Sequence, residues 1–255
     1  MTIVDEAVSR HHPLLHLNTG SGILTAWNPE ANTHYYSAAN LEPEEFIKQG
    51  HIFVQGFNRI LKGPESALAH GAVVGLGGRG VLICAIGYRG KSTLAVSALL
   101  DGFDYVSDDY LVLGRQADGL RAWPIYSIVT LSPAMYWRMC DALRARFVSN
   151  NSRKDKYVLN IAAYHSRFAA GYPVALCIYP RITSCREPGI VPGDKDIALE
   201  EFVFSTVNQM GDAKDVATIA KLHAFVNDLP FYRMNLSPDI DKNVRCLREF
   251  LEGLT

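Results

Sequence analysis

The chain has no C-x-x-C pair: its five cysteines, Cys84, Cys140, Cys177, Cys185 and Cys246, are scattered through 255 residues. That spacing argues against a disulfide framework and a zinc site. Three of the five sit in apolar runs, as small buried hydrophobes do in a reducing compartment. No apolar run reaches about 18 residues, the length at which a membrane-spanning helix becomes a candidate. An excess of one charge is missing too: 25 Lys and Arg face 26 Asp and Glu, a net charge of -1. Such a chain offers no broad basic surface to displace counterions from nucleic acid. Acidic Asp5 and Glu6 stand near the start without a long apolar stretch, so no secretion signal is read and the cytoplasm is the expected location. Internal repeats and low-complexity tracts are absent. What is present is a 48% hydrophobic composition, enough to bury the core of one large or two small globular domains.

The most informative stretch runs Val81-Leu82-Ile83-Cys84-Ala85-Ile86-Gly87-Tyr88-Arg89-Gly90-Lys91-Ser92-Thr93-Leu94-Ala95. An apolar strand enters a turn containing glycines and leaves through Lys-Ser-Thr into a helix-forming segment. Backbone N–H groups of such a turn point into one concavity at the positive end of the helix dipole, which suits a phosphate. The pattern G-x-x-x-x-G-K-[ST] is met except at its first glycine, which is Ala85. Read as a phosphate loop, residues Gly87, Tyr88, Arg89, Gly90, Lys91, Ser92 and Thr93 bind nucleotide, Lys91 reaches the β- and γ-phosphates and Ser92 ligates Mg²⁺. The plainer alternative is an ordinary helix start with Ser as its cap.

A second signal follows at Ser107-Asp108-Asp109, between the apolar segments Phe103–Val106 and Tyr110–Leu113. Paired carboxylates at a strand end can serve a metal and act as a general base for an acceptor hydroxyl. The alternative is an acidic surface turn. Elsewhere, Gly22–Trp27 and Tyr35–Ala38 are strand candidates around a turn at Asn28–Asn32. Glu44–Leu61 has helical spacing, and Leu68–Leu76 reads as one apolar strand. Gly77–Gly80 is a tight turn, so a hairpin feeds the loop. Gln116–Gly119 closes another hairpin. Ile128–Leu143 reads as a helix around Ser132-Pro133, and Val174–Tyr179 as a buried strand delivering Pro180-Arg181. Glu187–Lys195 is read as loop. Helices are expected at Leu199–Val207, Asp212–Asn227 and Ile240–Leu251, with a strand at Phe231–Leu236. His11, His12 and His16 lie in what reads as a polar arm rather than a metal site. The basic stretch Arg144–Lys156 and Arg181 are candidate phosphate or substrate contacts, Arg153 and Lys156 among them. A solvated basic loop and a surface salt bridge are the respective alternatives.

His70-Gly71, the strand-turn-strand Ala72–Ile86, the loop Gly87–Ser92 and the Ser107-Asp108-Asp109 step resemble, in order and interval, the catalytic domain of bacterial HPr kinase/phosphorylase. The likeness is closer to the short HPr-kinase-related proteins, among them lasso-peptide kinases that phosphorylate a precursor's C-terminal serine. The resemblance covers Leu68–Val112 and is thinner through Pro180-Arg181 and the Phe231–Met234 strand. It implies an α/β, phosphoenolpyruvate-carboxykinase-like P-loop fold with a mixed central sheet and flanking helices. It implies ATP and Mg²⁺ as well, with His70 against the Asp pair, Lys91 on phosphates, Asp108 favoured as base and Asp109, with Ser92, for the metal. Ala85 and Tyr88 depart from the family's glycines, and Trp123–Leu143 holds no counterpart of its Gly-rich stretch with a catalytic Glu. HPr itself is therefore not the expected acceptor.

The expected organisation is residues 1–62 as a strand-helix segment packed on the body and 63–255 as a P-loop kinase-like domain. The expected function is an ATP-dependent kinase acting on a serine-type hydroxyl of a peptide or small protein, with neither nucleic acid nor membrane as partner. The alternatives are a kinase of a small alcohol such as free serine and an ATP-binding module without transfer. The oligomeric state is open, a homo-oligomer included.

Overall fold

A computed structural model describes residues 14–18, 23–28, 33–37, 54, 57, 61, 63–138, 149–151, 156–161, 166–209 and 216–254. The N-terminal strands β1 (Leu14–Asn18), β2 (Ile23–Asn28) and β3 (Thr33–Ser37) form an antiparallel three-stranded sheet. The polar arm expected at residues 1–20 thus contains a strand, and His16 lies on it, while His11 and His12 fall outside the described residues. Most of the helix expected at Glu44–Leu61 does too. Val54, Phe57 and Leu61, at helical spacing, pack around Leu68 and Tyr110.

The central sheet is mixed. Its strands are β4 (Ser66–His70), β5 (Ala72–Leu76), β6 (Arg79–Ile83), β7 (Asp104–Ser107), β8 (Tyr110–Gln116), β9 (Gly119–Pro124), β13 (Tyr172–Ile182), β14 (Gly189–Pro192) and β15 (Phe231–Leu236). They run in the order β4-β8-β9-β13-β6-β5-β7, with β15 and then β14 joined through β13. Along β13 the partners change: its first residues pair antiparallel with β9, while later residues pair in parallel with β6 and β15.

Alternation along these strands builds two cores, because successive side chains face opposite sides of a sheet. One face carries Val74, Val81, Ile83, Leu176, Ile178 and Met234. Helices α1 (Lys91–Leu100) and α5 (Ile240–Glu252) cover it, with the small sheet of β10 (Ile128–Leu131), β11 (Ser149–Asn151) and β12 (Lys156–Asn160). The other face carries Val73, Leu82, Cys84, Cys177, Tyr179 and Phe231 under α3 (Lys195–Gln209) and α4 (Val216–Val226). No helix among the described residues is long and apolar enough to cross a membrane.

The expected hairpin into the loop is present. Leu76 pairs with Arg79 across Gly77 and Gly78, whose φ values of 58° and 81° suit the twist of a two-residue turn. Three expectations change. Leu68–Leu76 is two strands, with β4 pairing β8 and β5 pairing β6 and β7. They part at Gly71, where a Cβ would stand 3.3 Å from the Ile83 carbonyl oxygen. Ile128–Leu131 is a strand, as its β-branched residues favour. The helix begins only after it, as α2 (Pro133–Tyr136), where Ser132 Oγ accepts from Met135 N–H at 3.4 Å. The segment expected as loop at Glu187–Lys195 contains β14, an edge strand, where Pro192 is tolerated.

Gly80 is where β6 and β13 approach most tightly: a Cβ there would stand 2.2 Å from the Pro173 carbonyl oxygen. Gly80→Ala must spread two backbones, at a cost of about 1–3 kcal/mol or more. Gly63→Ala, with nothing within 4 Å of the added carbon, is expected to stay within ~0.5 kcal/mol. Thermal unfolding of the two variants checks this: a lowered Tm for Gly80→Ala alone is expected, and equal Tm values would contradict the packing described.

Candidate functional site

The site is assembled at the head of α1. Its N-cap is Gly90 at φ 91°, and Tyr88 in the turn before it has φ 65°. A bulky residue in this left-handed region costs about 1–3 kcal/mol, and such strain concentrates in ligand-binding loops. The Tyr88 side chain projects into solvent, 93% exposed. Gly90 is required twice over, because a Cβ would also meet Leu236 Cδ1 at 2.7 Å.

Lys91, the first residue of the helix, is buried with its ammonium between two carboxylates. Nζ donates to Asp108 Oδ1 at 2.6 Å and to Asp109 Oδ1 at 2.7 Å. Adjacent residues of a regular strand could not both do this, since they face opposite sides. The chain solves it at Asp109, whose φ of 70° turns the backbone between β7 and β8. Three bonds hold the turn: Ser107 Oγ donates to the Tyr110 carbonyl at 2.6 Å, Tyr110 N to Asp108 O at 3.0 Å and Gly71 N to Asp109 O at 3.0 Å.

The carboxylates differ in environment. The Asp108 side chain is 0% exposed and that of Asp109 17%. Burial raises the Asp108 pKa above the usual carboxylate range; Lys91 opposes this, and neighbouring Asp109 adds to it. For Lys91, burial alone would favour the neutral amine, but the two carboxylates outweigh it and the pKa ends above the ordinary lysine value. Asp108 Oδ2 is buried without a hydrogen-bond partner. Asp109 Oδ2 accepts from Thr130 Oγ1 of β10 at 3.4 Å.

His70, at the end of β4, faces the pair, with Nε2 at 3.5 Å from Asp109 Oδ1. Its backbone N–H donates to Thr206 Oγ1 at 3.0 Å, and its Nδ1 is hydrogen-bonded to Ser205 Oγ. Burial lowers the His70 pKa, the bond to Asp109 opposing it, so the ring is neutral at pH 7. Ser205 Oγ is also within hydrogen-bond distance of the Ala85 carbonyl, at 3.1 Å.

The sequence-derived residues His70, Lys91, Asp108 and Asp109 are thus brought together, with Ser92 beside them: its side chain acts on Asp108, lowering the pKa. Arg181 is engaged elsewhere, in a two-pronged ion pair with Glu201 at 2.7 and 2.9 Å. Arg153 falls outside the described residues and Lys156 lies on β12. Sequence reasoning missed Ser205, Thr206 and Thr130. The available signal was a Ser-Thr pair inside the apolar run Phe202–Val207, where small hydroxyls have little other reason to be buried.

Among the described residues no group of three or more His, Cys, Asp or Glu could hold a metal ion. Mg²⁺ does not need one: it is commonly held by one or two carboxylates together with substrate phosphates. The unpartnered Asp108 Oδ2, the Ser92 hydroxyl and Asp109 are hard oxygen donors that fit such an ion.

The depressed His70 pKa has a stability consequence. Below the unfolded-state value of about 6.5, the unfolded chain takes up a proton that folded His70 resists, so this residue's contribution falls as pH drops below that point. His70→Asn removes the titration. The Tm advantage of the parent over the variant is expected to shrink from pH 7 to pH 5; an unchanged or growing difference would mean that His70 is not held neutral.

No protein-family model matches the chain, and no curated protein matches it either. Among solved structures it is similar to the Hpr(Ser) kinase/phosphatase from Coxiella burnetii, over 73% of this chain and 97% of that one, at 10% sequence identity and a TM-score of 0.43. At that level the likeness assigns no activity to this chain.

Proposed function

We propose that this protein is an ATP-dependent kinase that transfers the γ-phosphoryl group to a serine-type hydroxyl of a peptide or small protein. The observation that carries this reading is the convergence of Lys91, Asp108, Asp109 and a neutral His70 at the head of α1, behind a turn with two positive-φ residues. One ammonium against two carboxylates leaves the site net negative, so an anionic triphosphate is favoured only when accompanied by a cation. Mg²⁺, when bound, would neutralise charge on the β- and γ-oxygens. Asp108 Oδ2 and the Ser92 hydroxyl are the groups to hold it, and the loop amides and Lys91 take the phosphates.

Asp109 is the better base, exchanging the roles favoured on sequence alone. Its side chain is the one solvent reaches, and it alone has the His70 imidazole beside it. In the transfer, the acceptor O–H bond breaks and its proton passes to Asp109, which His70 Nε2 faces at 3.5 Å. The acceptor oxygen bonds to the γ-phosphorus, the bond from that phosphorus to the β–γ bridging oxygen breaks, and ADP leaves. Most of the acceleration comes from positioning and charge stabilisation, and the base contributes ~10²–10⁴-fold.

The test is incubation with ATP and Mg²⁺ against serine-bearing peptides and free serine, with mass spectrometry for an added phosphate. Asp109→Asn should reduce transfer by roughly 10²–10⁴-fold while ATP affinity changes little. Asp108→Asn should instead weaken the Mg²⁺ dependence of ATP binding. Parent-rate transfer by the Asp109 variant overturns the assignment of the base, and ATP binding without transfer to any acceptor overturns the kinase in favour of a binding module.

A further inference from the structure

Beside the loop, on the flank away from the carboxylates, lies a cleft of about 180 Å³. It sits at the carboxyl ends of β13 and β15, which run parallel to each other and to β6, the strand that enters the loop. In open α/β sheets that crevice is where ligands bind. The lining is largely apolar: Gly90 and Thr93 from the loop and α1, Ile182 from β13, Leu236 from β15 and Ile240 from α5, with the exposed Arg138 completing it. Thr93 is two residues beyond Lys91 and so about 200° around the helix. Since Lys91 points at Asp108 and Asp109, the cleft and the acceptor side of the site are separated by the first turn of α1.

Size and construction narrow the occupant. An apolar cavity of ~150 Å³ takes up a single benzene ring, whereas pockets that enclose a whole drug-sized ligand begin at roughly 300 Å³. The cleft suits one flat heterocycle whose remaining groups lie outside it. Its wall is fixed by Asn243, whose Oδ1 accepts from Ser237 N–H at 2.8 Å while Nδ2 donates to Ser237 O at 2.9 Å, pinning the corner between β15 and α5. The Arg138 guanidinium is of the kind that stacks on an aromatic face.

We infer that this cleft seats the base of the nucleoside triphosphate whose phosphates lie on the loop, so that the protein holds a nucleotide more tightly than a bare polyphosphate. The inference rests on the nucleotide reading of the site. It is tested by calorimetric titration with Mg²⁺-ATP and with Mg²⁺-tripolyphosphate, on the parent and on Ile182→Trp. Ile182 is 64% exposed, so a larger side chain there can cover the cleft without disturbing the core. The parent should bind ATP tenfold or more tighter than tripolyphosphate. The variant should lose that preference while its tripolyphosphate affinity, a readout of the loop, stays within about twofold. Equal binding of the two ligands by the parent overturns the inference, as does an unchanged ATP preference in the variant. So does a variant altered only in its KM for a peptide acceptor, which would make the cleft an acceptor subsite. Binding of neither ligand by the parent removes the nucleotide reading and this inference with it.

Discussion

The structure depends on one buried contact, the Lys91 ammonium held by two adjacent carboxylates. Three charges withdrawn from water are costly unless each finds its counterpart, and removing one partner of such a group typically costs about 3–5 kcal/mol. Here the lysine opens a helix and the carboxylates close a strand, so the contact ties α1 to the β7–β8 turn. The geometry has a conformational cost as well, since Asp109 must adopt φ 70° for both side chains to face the same nitrogen. A fold that keeps a strained, buried, net negative triad stores local instability at one place. That is how sites built to bind a compensating ligand commonly look.

The layers around the triad explain why it stays in place. The sheet face that carries α1 also carries α5, so the helix bearing Lys91 is packed along its length by Leu94, Ala95, Ala98 and Leu99. On the opposite face α3 brings Ser205 and Thr206 to His70, holding both the backbone of that residue and its ring. β10 supplies Thr130 to the second carboxylate. Elements from both faces therefore meet at one end of the sheet. The loop at that end has an apolar cleft on its flank.

Much of this was legible in the sequence because the signals were local. Two consecutive glycines before Arg79 specify the hairpin turn, the apolar run Val81–Ile83 specifies the strand, and Gly90 before Lys-Ser-Thr marks the helix start. The acidic pair stood out because apolar segments flank it. What was not legible depends on contacts distant in sequence. Leu68–Leu76 is apolar apart from His70, and nothing in it announces that its halves pair with different strands, because the break at Gly71 is set by β6 packing against it. Ile128–Leu131 lies next to a true helix cap, and the helical reading spread backward across residues whose β-branching favours a strand. The partners of His70 lie 135 and 136 positions away, and the difference in burial between Asp108 and Asp109 exists only once both sheet faces are covered.

The measurement that tests the account most directly is the structure of the protein with Mg²⁺ and a non-hydrolysable ATP analogue. The account predicts triphosphate on the amides of Gly87–Ser92, Lys91 turned from at least one carboxylate to a phosphate, and the cation against Asp108 and Ser92. A structure at saturating analogue in which Lys91 still bridges Asp108 and Asp109, with the nucleotide elsewhere on the surface, would contradict it.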